Sequence, residues 1–398
     1  MTKRFNGEGT FRQRADGRWE GRLAYTDADE IRRRMSFYAP TEKAVRAKVR
    51  DATRRIERGE PAKDSAQTVG AWCDEWCATT LEVSMRKPTT KSLMRTVVAK
   101  HVKPSKLAAV QLAKLRPTHL DAWVLELRRK ERELKDGSRT RALSESSVAR
   151  VFRVLSVILD GAVRDEHLAS NPARKVERPT AERQDARVLT MDEVAAVLAA
   201  ARQMDEDPRG HRSHNYPLFA LIAATGLRKG EALALRWQDV DFATGAISVR
   251  GTLSRVSGEL VVTSPKTKKS RRTLTPAEGV MRVLREYRTR QLEDRLFAGN
   301  QWKDTGHVFT TGLGAPRDPR GVLRSMEAAA RRAGLEKVAV HTLRHSAATV
   351  MLEQGTHIKA VSDLLGHAGT QITSDVYAHL TNATARKAMD GLGSAIGL

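Results

Sequence analysis

The spacing of apolar residues changes along this 398-residue chain, and that change limits its architecture more than any other feature. Over residues 9–25 the period is two. Phe11, Ala15, Trp19, Leu23 and Tyr25 fall on one side of an extended chain and Arg12, Arg14, Arg18 and Arg22 on the other, with an Asp16-Gly17 turn between. A further strand over 33–38 and a helix from about Thr41, with Val45, Val49, Ala52 and Ile56 at helical spacing, complete a three-stranded module backed by one helix in residues 1–60. Beyond it the period becomes helical. Helices are predicted over 68–80, 88–102, 117–134 and 144–168, where Pro88 and Pro117 suit first helical turns and Ser144 suits an N-cap. Asn171-Pro172 closes this helical domain, 66–175, and a charged stretch over 174–187 reads as a linker.

Residues 186–398 form the largest predicted domain. Helices are expected over 190–203, 216–226, 229–236, 276–297, 319–333, 342–354, 357–365 and 371–379, with short strands near 247–249, 260–262 and 271–274 in one hairpin-rich sheet. The expected class is therefore mainly α with small antiparallel β-sheets (α+β), in several domains.

Seventy Lys and Arg against 47 Asp and Glu give a formal charge of +23, and the basic excess is spread over all three segments. Such a surface calls for a polyanionic partner, with nucleic acid foremost. The arginine face of the first hairpin is either a strand-borne DNA reader or a solvated strand face; its pattern alone fits both. Cys73 and Cys77, set between Trp72 and Trp76, fit one packed helix face better than metal or redox chemistry. No signal-like apolar stretch opens the chain, and the run near 218–224 is far too short to span a bilayer, so a cytoplasmic protein without membrane association is expected.

Attack on a phosphodiester by a side chain needs fixed positive donors aimed at the phosphate oxygens, a nucleophile, a base and a proton for the leaving oxygen. The last domain holds candidates for each. Arg228 lies in Thr225-Gly226-Leu227-Arg228-Lys229-Gly230-Glu231, and Arg344 in His341-Thr342-Leu343-Arg344-His345, three residues after His341. Two guanidiniums suit phosphate because each is a planar fork that stays charged. Lys266, on a hairpin tip in Ser264-Pro265-Lys266-Thr267-Lys268, can supply the proton, although Lys268, Lys269, Arg271 and Arg272 lie close by. Tyr377 is the candidate nucleophile. At pH 7 its phenolate costs about 4 kcal/mol, which a base such as His341 or His367, in Leu365-Gly366-His367, must offset. None of these elements is persuasive singly, and their order and separation carry the inference.

At these residues the chain resembles the tyrosine recombinases, most closely phage and mobile-element integrases with an N-terminal arm-binding domain. The resemblance implies that Arg228, Lys266, His341, Arg344, His367 and Tyr377 are catalytic and that Glu231 supports the first arginine. It further implies a C-shaped clamp of core-binding and catalytic domains on DNA, and an arm-type DNA-binding domain in 1–60 that uses Arg12, Arg14, Arg18 and Arg22. Four protomers would join two duplexes through a 3'-phosphotyrosyl intermediate, and residues 385–396 would dock on a neighbouring protomer. Partners implied are core and arm attachment sites, a host DNA-bending factor and an excision directionality factor. No cofactor is expected, because each phosphodiester is exchanged for another and no carboxylate cluster of the two-metal type is evident. Two alternatives share parts of this pattern: a type IB topoisomerase, which rejoins the original strand, and a DNA-binding regulator that has lost catalysis.

Overall fold

The computed structural model describes residues 9–26, 32–57, 67–134, 136–181, 187–207, 214–264 and 271–366, which form two units, Met1–Arg183 and Gln184–Leu398. It is mainly helical with small antiparallel sheets. The predicted sites Lys266, His367 and Tyr377, the helix at 371–379 and the tail at 385–396 lie outside the described residues.

In the first unit, β1 (Thr10–Gln13), β2 (Trp19–Thr26) and β3 (Arg32–Ala39) form an antiparallel sheet in that order. One face buries Leu23 and Met35 against Val49 and Ala52 of α1 (Glu42–Glu57). The alternation stops sooner than its pattern suggests. Strand β1 ends at Gln13, and the Arg14 N–H donates to the Arg18 carbonyl at 2.9 Å, so Ala15 is exposed in the turn and not on the apolar face. Gly17 takes the left-handed φ of 79° that the turn requires.

A separate core follows. It is built by α2 (Val69–Ala78), α3 (Thr80–Val83), α4 (Pro88–Val97), α5 (Pro117–Arg129) and α6 (Glu145–Arg164), with a π-helical turn at Val98–Val102. Ser144 caps α6 by accepting from the Ser147 N–H. Trp72 donates its indole N–H to the Ile158 carbonyl at 2.9 Å, and Trp76 packs where Gly161 of α6 leaves room. Cys73 is buried, which pushes its thiol up to about 12. The helix expected over 117–134 stops at Arg129, because 131–141 forms a hairpin, β4 (Glu131–Glu133) with β5 (Arg139–Arg141), around Asp136 and Gly137. Its strands are charged on both faces, so no apolar alternation announces them.

The second unit is assembled around α8 (Asn215–Thr225), whose Leu218, Phe219, Leu221 and Ile222 are fully buried beneath α7 (Met191–Glu206). Next come α9 (Lys229–Ala234), β6 (Val240–Asp241), β7 (Ala246–Val249), β8 (Thr252–Val256), β9 (Glu259–Thr263) and β10 (Arg272–Leu274). The chain continues through α10 (Glu278–Ala298), α11 (Pro319–Arg332), α12 (Val340–Glu353) and α13 (Ile358–Leu365). Helices α10, α11 and α12 also pack on α8. The strands form two sheets and not one: β10-β7-β6, and the hairpin β8-β9. Pairing of β10 with β7 skips the intervening hairpin, a non-local choice that local spacing does not encode. Among the described residues no helix is long and apolar enough to cross a membrane.

Two glycines test the packing. A Cβ on Gly161 would meet the Trp76 ring at 2.7 Å, so Gly161→Ala should destabilise the first unit by about 1–3 kcal/mol in chemical denaturation. Gly279→Ala in α10 meets open space and should be neutral or stabilising by up to about 1 kcal/mol.

Candidate active site

Helix α8 ends at Gly226, in the left-handed region at φ 64°, and the turn it makes places Arg228 at the N-terminus of α9. Helix α13 ends in the same way at Gly366, φ 66°. The two glycine turns meet: a Cβ on Gly226 would lie 2.3 Å from the Leu365 side chain. Into this junction α12 extends Arg344, which is 5% exposed.

The last carbonyls of α13 then receive the guanidiniums. Arg344 donates through Nη2 to the Leu365 carbonyl at 2.9 Å and through Nη1 to the Gly226 carbonyl at 2.6 Å. Arg228 donates through Nη2 to the Gly366 carbonyl at 3.0 Å and makes a longer contact, 3.5 Å, with the Leu365 carbonyl. A helix C-terminus carries partial negative charge on such carbonyls, so it is a natural seat for cations.

Glu231, one turn into α9 and 2% exposed, sits on the other side. Its carboxylate accepts from Arg228 Nη1 at 2.8 Å, from the Arg228 N–H at 3.1 Å and from Arg272 Nη2 at 3.1 Å. Burial alone would raise its pKa, but Arg272 and Arg228 overcome that and hold it below the usual carboxylate range. Arg344 is lowered to about 9, by burial first and by the charge of Arg228 second, so it remains a cation at neutral pH. Glu231 thus pairs with Arg228 and Arg272, while Arg344 is held by the carbonyls of Gly226 and Leu365 and lies close enough to Arg228 for the two charges to repel.

His341, the second residue of α12 and one turn before Arg344, is exposed, although partial desolvation, then Lys229 and Arg344, lower its pKa below 6.5. Arg228, Glu231, Arg344 and His341 thus lie around one junction. The sequence marks Arg272 only as a neighbour of Lys266, yet its side chain is 8% exposed and joins the cluster. The usable signal was its period-two relation to Leu274, which is buried on the same side of β10.

The first hairpin is arranged differently from its pattern. Arg12 and Arg22 lie on the open sheet face, but both pair with Glu20, at 2.5 and 3.0 Å, and Tyr38 donates to the same carboxylate at 3.4 Å. Hydrogen bonds from Arg22 and Arg12 hold Glu20 at about 2. Arg14 and Arg18 are in the turn and not on a strand; Arg18 pairs with Asp16 at 2.8 Å and Arg14 lies over the Tyr38 ring, 5.4 Å from its centroid.

Two tests follow from these charges. Sulfate should raise the melting temperature of the wild type more than that of Arg228→Ala at equal ionic strength, because an oxyanion offsets the repulsion between Arg228 and Arg344; equal increments would show that the cluster holds no anion. For Glu20, whose folded pKa is depressed, the stabilisation is present above its ordinary value near 4.5 and is lost as pH falls toward 2. Glu20→Gln should remove that part of the acid dependence in a pH titration of stability.

The phage integrase family matches residues 187–384. A tyrosine recombinase XerC of Xylella fastidiosa is 30% identical over 242 residues, 60% of this chain and 72% of that protein. A XerC-like tyrosine recombinase of Caldanaerobacter subterraneus subsp. tengcongensis is 28% identical over 363 residues, 87% of this chain and 88% of its own length. Among solved structures, a fragment of the Tn1549 transposon integrase in complex with transposon right end DNA aligns with TM-score 0.63 at 20% identity, covering 82% of this chain and all of that one. A lambda integrase tetramer bound to a Holliday junction aligns with TM-score 0.54 at 16% identity, covering 94% of this chain and 96% of that one. The chain belongs to the phage integrase family of tyrosine recombinases, enzymes that break and rejoin DNA strands.

Proposed function

We propose that this chain integrates and excises a phage or other mobile element by site-specific recombination, with Arg228 and Arg344 as the phosphate-holding pair. The observation that carries the proposal is the shared seat of both arginines on the end of α13, beside Glu231. Glu231 pairs with Arg228 and Arg272, and the two arginines that meet at the end of α13 supply the fixed positive donors that a phosphodiester needs as it gains negative charge under attack.

In this reading the Tyr377 oxygen attacks phosphorus in line. The new bond is a 3'-phosphotyrosyl ester, the broken bond is that to the 5'-oxygen, and Lys266 gives that oxygen its proton. The freed 5'-hydroxyl of the partner strand then attacks the phosphotyrosyl link and restores both a phosphodiester and the tyrosine. His341 and His367 accept the phenol proton and hydrogen-bond the phosphate. The depressed pKa of His341 supports this, since an imidazole neutral at pH 7 can accept a proton. Residues 66–175 would grip the core site and 1–60 an arm site, where the residual charge of Arg12, Arg14, Arg18 and Arg22 contacts phosphates around the Glu20 hub. Four protomers would act on two duplexes, with a DNA-bending factor and a directionality factor selecting integration or excision in the cytoplasm.

Recombination of two plasmid-borne attachment sites tests the whole reading: joined products are expected, and relaxation of supercoils without joining would point to a topoisomerase. Replacing Arg228 or Arg344 by Ala should slow cleavage by about 10²- to 10³-fold, and near-normal cleavage would remove that arginine from the site. The acid limb of the wild-type cleavage profile should lie below pH 6.5, because His341 stays neutral until pH falls through its lowered pKa. A limb at or above 6.5 would exclude neutral His341 as the base.

A further inference from the structure

Arg272 makes two contacts that the reaction scheme above does not use. It opens β10, and its Nη2 donates to Glu231 Oε2 at 3.1 Å while its Nε donates to the Leu364 carbonyl at 2.6 Å. One planar guanidinium therefore ties strand β10, helix α9 and the last turn of α13 together. The close approach has a structural requirement of its own. A Cβ on Gly366 would lie 2.8 Å from Arg272 Nη1, so the glycine is needed both for its left-handed φ and to let this arginine lie against the turn.

A buried carboxylate facing a single arginine forms a bidentate pair that directs the arginine's charge inward. Here Arg272 occupies Glu231 Oε2, and the Arg228 guanidinium takes only Oε1, through Nη1, leaving Nη2 to the Gly366 carbonyl. Leu364, which Arg272 holds, precedes the Leu365 carbonyl that Arg228 and Arg344 share. Both contacts thus act on groups that orient the arginine pair.

Resting on the recombinase reading, we infer that Arg272 is a positioning residue for cleavage: it divides the Glu231 carboxylate so that Arg228 stays directed at the phosphate, and it clamps the end of α13. Misplacement of reacting groups by about 1 Å can cost about 100-fold in rate. Loss of Arg272 should therefore slow the chemical step and leave DNA binding, which draws on the whole basic surface, nearly unchanged. Lysine keeps the charge but is a point donor without the fork, so it cannot hold both acceptors in the same geometry.

The experiment uses the full chain and a nicked duplex carrying the attachment site beside its gene. Single-turnover cleavage at saturating DNA, DNA affinity and melting temperature are measured for wild type, Arg272→Gln and Arg272→Lys, and for each change combined with Glu231→Gln. Expected are a roughly 100-fold slower cleavage for Arg272→Gln and a smaller loss for Arg272→Lys, with affinity within about threefold of wild type. The loss should shrink in the Glu231→Gln background, as it must if Arg272 acts partly through that carboxylate. If Arg272→Gln does not fold, Arg272→Lys decides: a folded lysine variant that cleaves like wild type overturns the inference. Loss of affinity equal to the loss of cleavage, or full additivity with Glu231→Gln, would also overturn it. Absence of cleavage by the wild type would instead sink the recombinase reading, and the role of Arg272 with it.

Discussion

Arginines converging on the end of one helix organise the second unit. Arg272, Arg344 and Arg228 take the carbonyls of Leu364, Leu365 and Gly366, which are the groups a helix C-terminus leaves without intrahelical partners. The arrangement satisfies the helix end and fixes the direction of the guanidiniums together. It depends on Gly226 and Gly366, whose left-handed turns let α8 and α13 meet without a Cβ between them. Tyr377, the proposed nucleophile, follows Gly366 by 11 residues, so these contacts fix the point from which its segment of the sequence continues.

The electrostatics of the cluster are unfavourable when nothing is bound, and that is consistent with its proposed task. Burying cations beside one another costs free energy, visible in the lowering of Arg344 to about 9 by burial and by Arg228. Glu231 relieves part of the cost, and the lowering of its own pKa shows how strongly the arginines hold it ionised. In the proposed reaction Arg228 and Arg344 are already held by these contacts before negative charge develops on a phosphate, so they need not rearrange.

Much of this was legible in the sequence, for identifiable reasons. Helix starts at Pro88, Pro117 and Ser144 were readable because their conformational preferences are local, and α8 was readable as an unbroken apolar run. Arg228, Glu231 and Arg344 stood out because they sit at helix starts in distinctive short motifs. The β4-β5 hairpin was missed because its strands are charged, and the division of the strands into two sheets was missed because it rests on β10 returning to β7. Arg12 reads as part of a bare basic face because Glu20 comes into register with it only once the strands pair, whereas the Glu20–Arg22 pair, two residues apart on one strand face, lies within reach of the period-two pattern. Arg272 was hidden in a run of lysines and arginines, where only the side of β10 it shares with Leu274 distinguishes it.

In the proposed reaction a phosphate held by Arg228 and Arg344 is attacked by Tyr377, which follows α13 in the sequence. The most direct measurement is to trap the covalent protein–DNA adduct on site DNA, digest it and sequence the modified peptide by mass spectrometry. A single adduct is expected, a 3'-phosphate esterified to Tyr377. An adduct on another residue, or one joined through a 5'-phosphate, would contradict it.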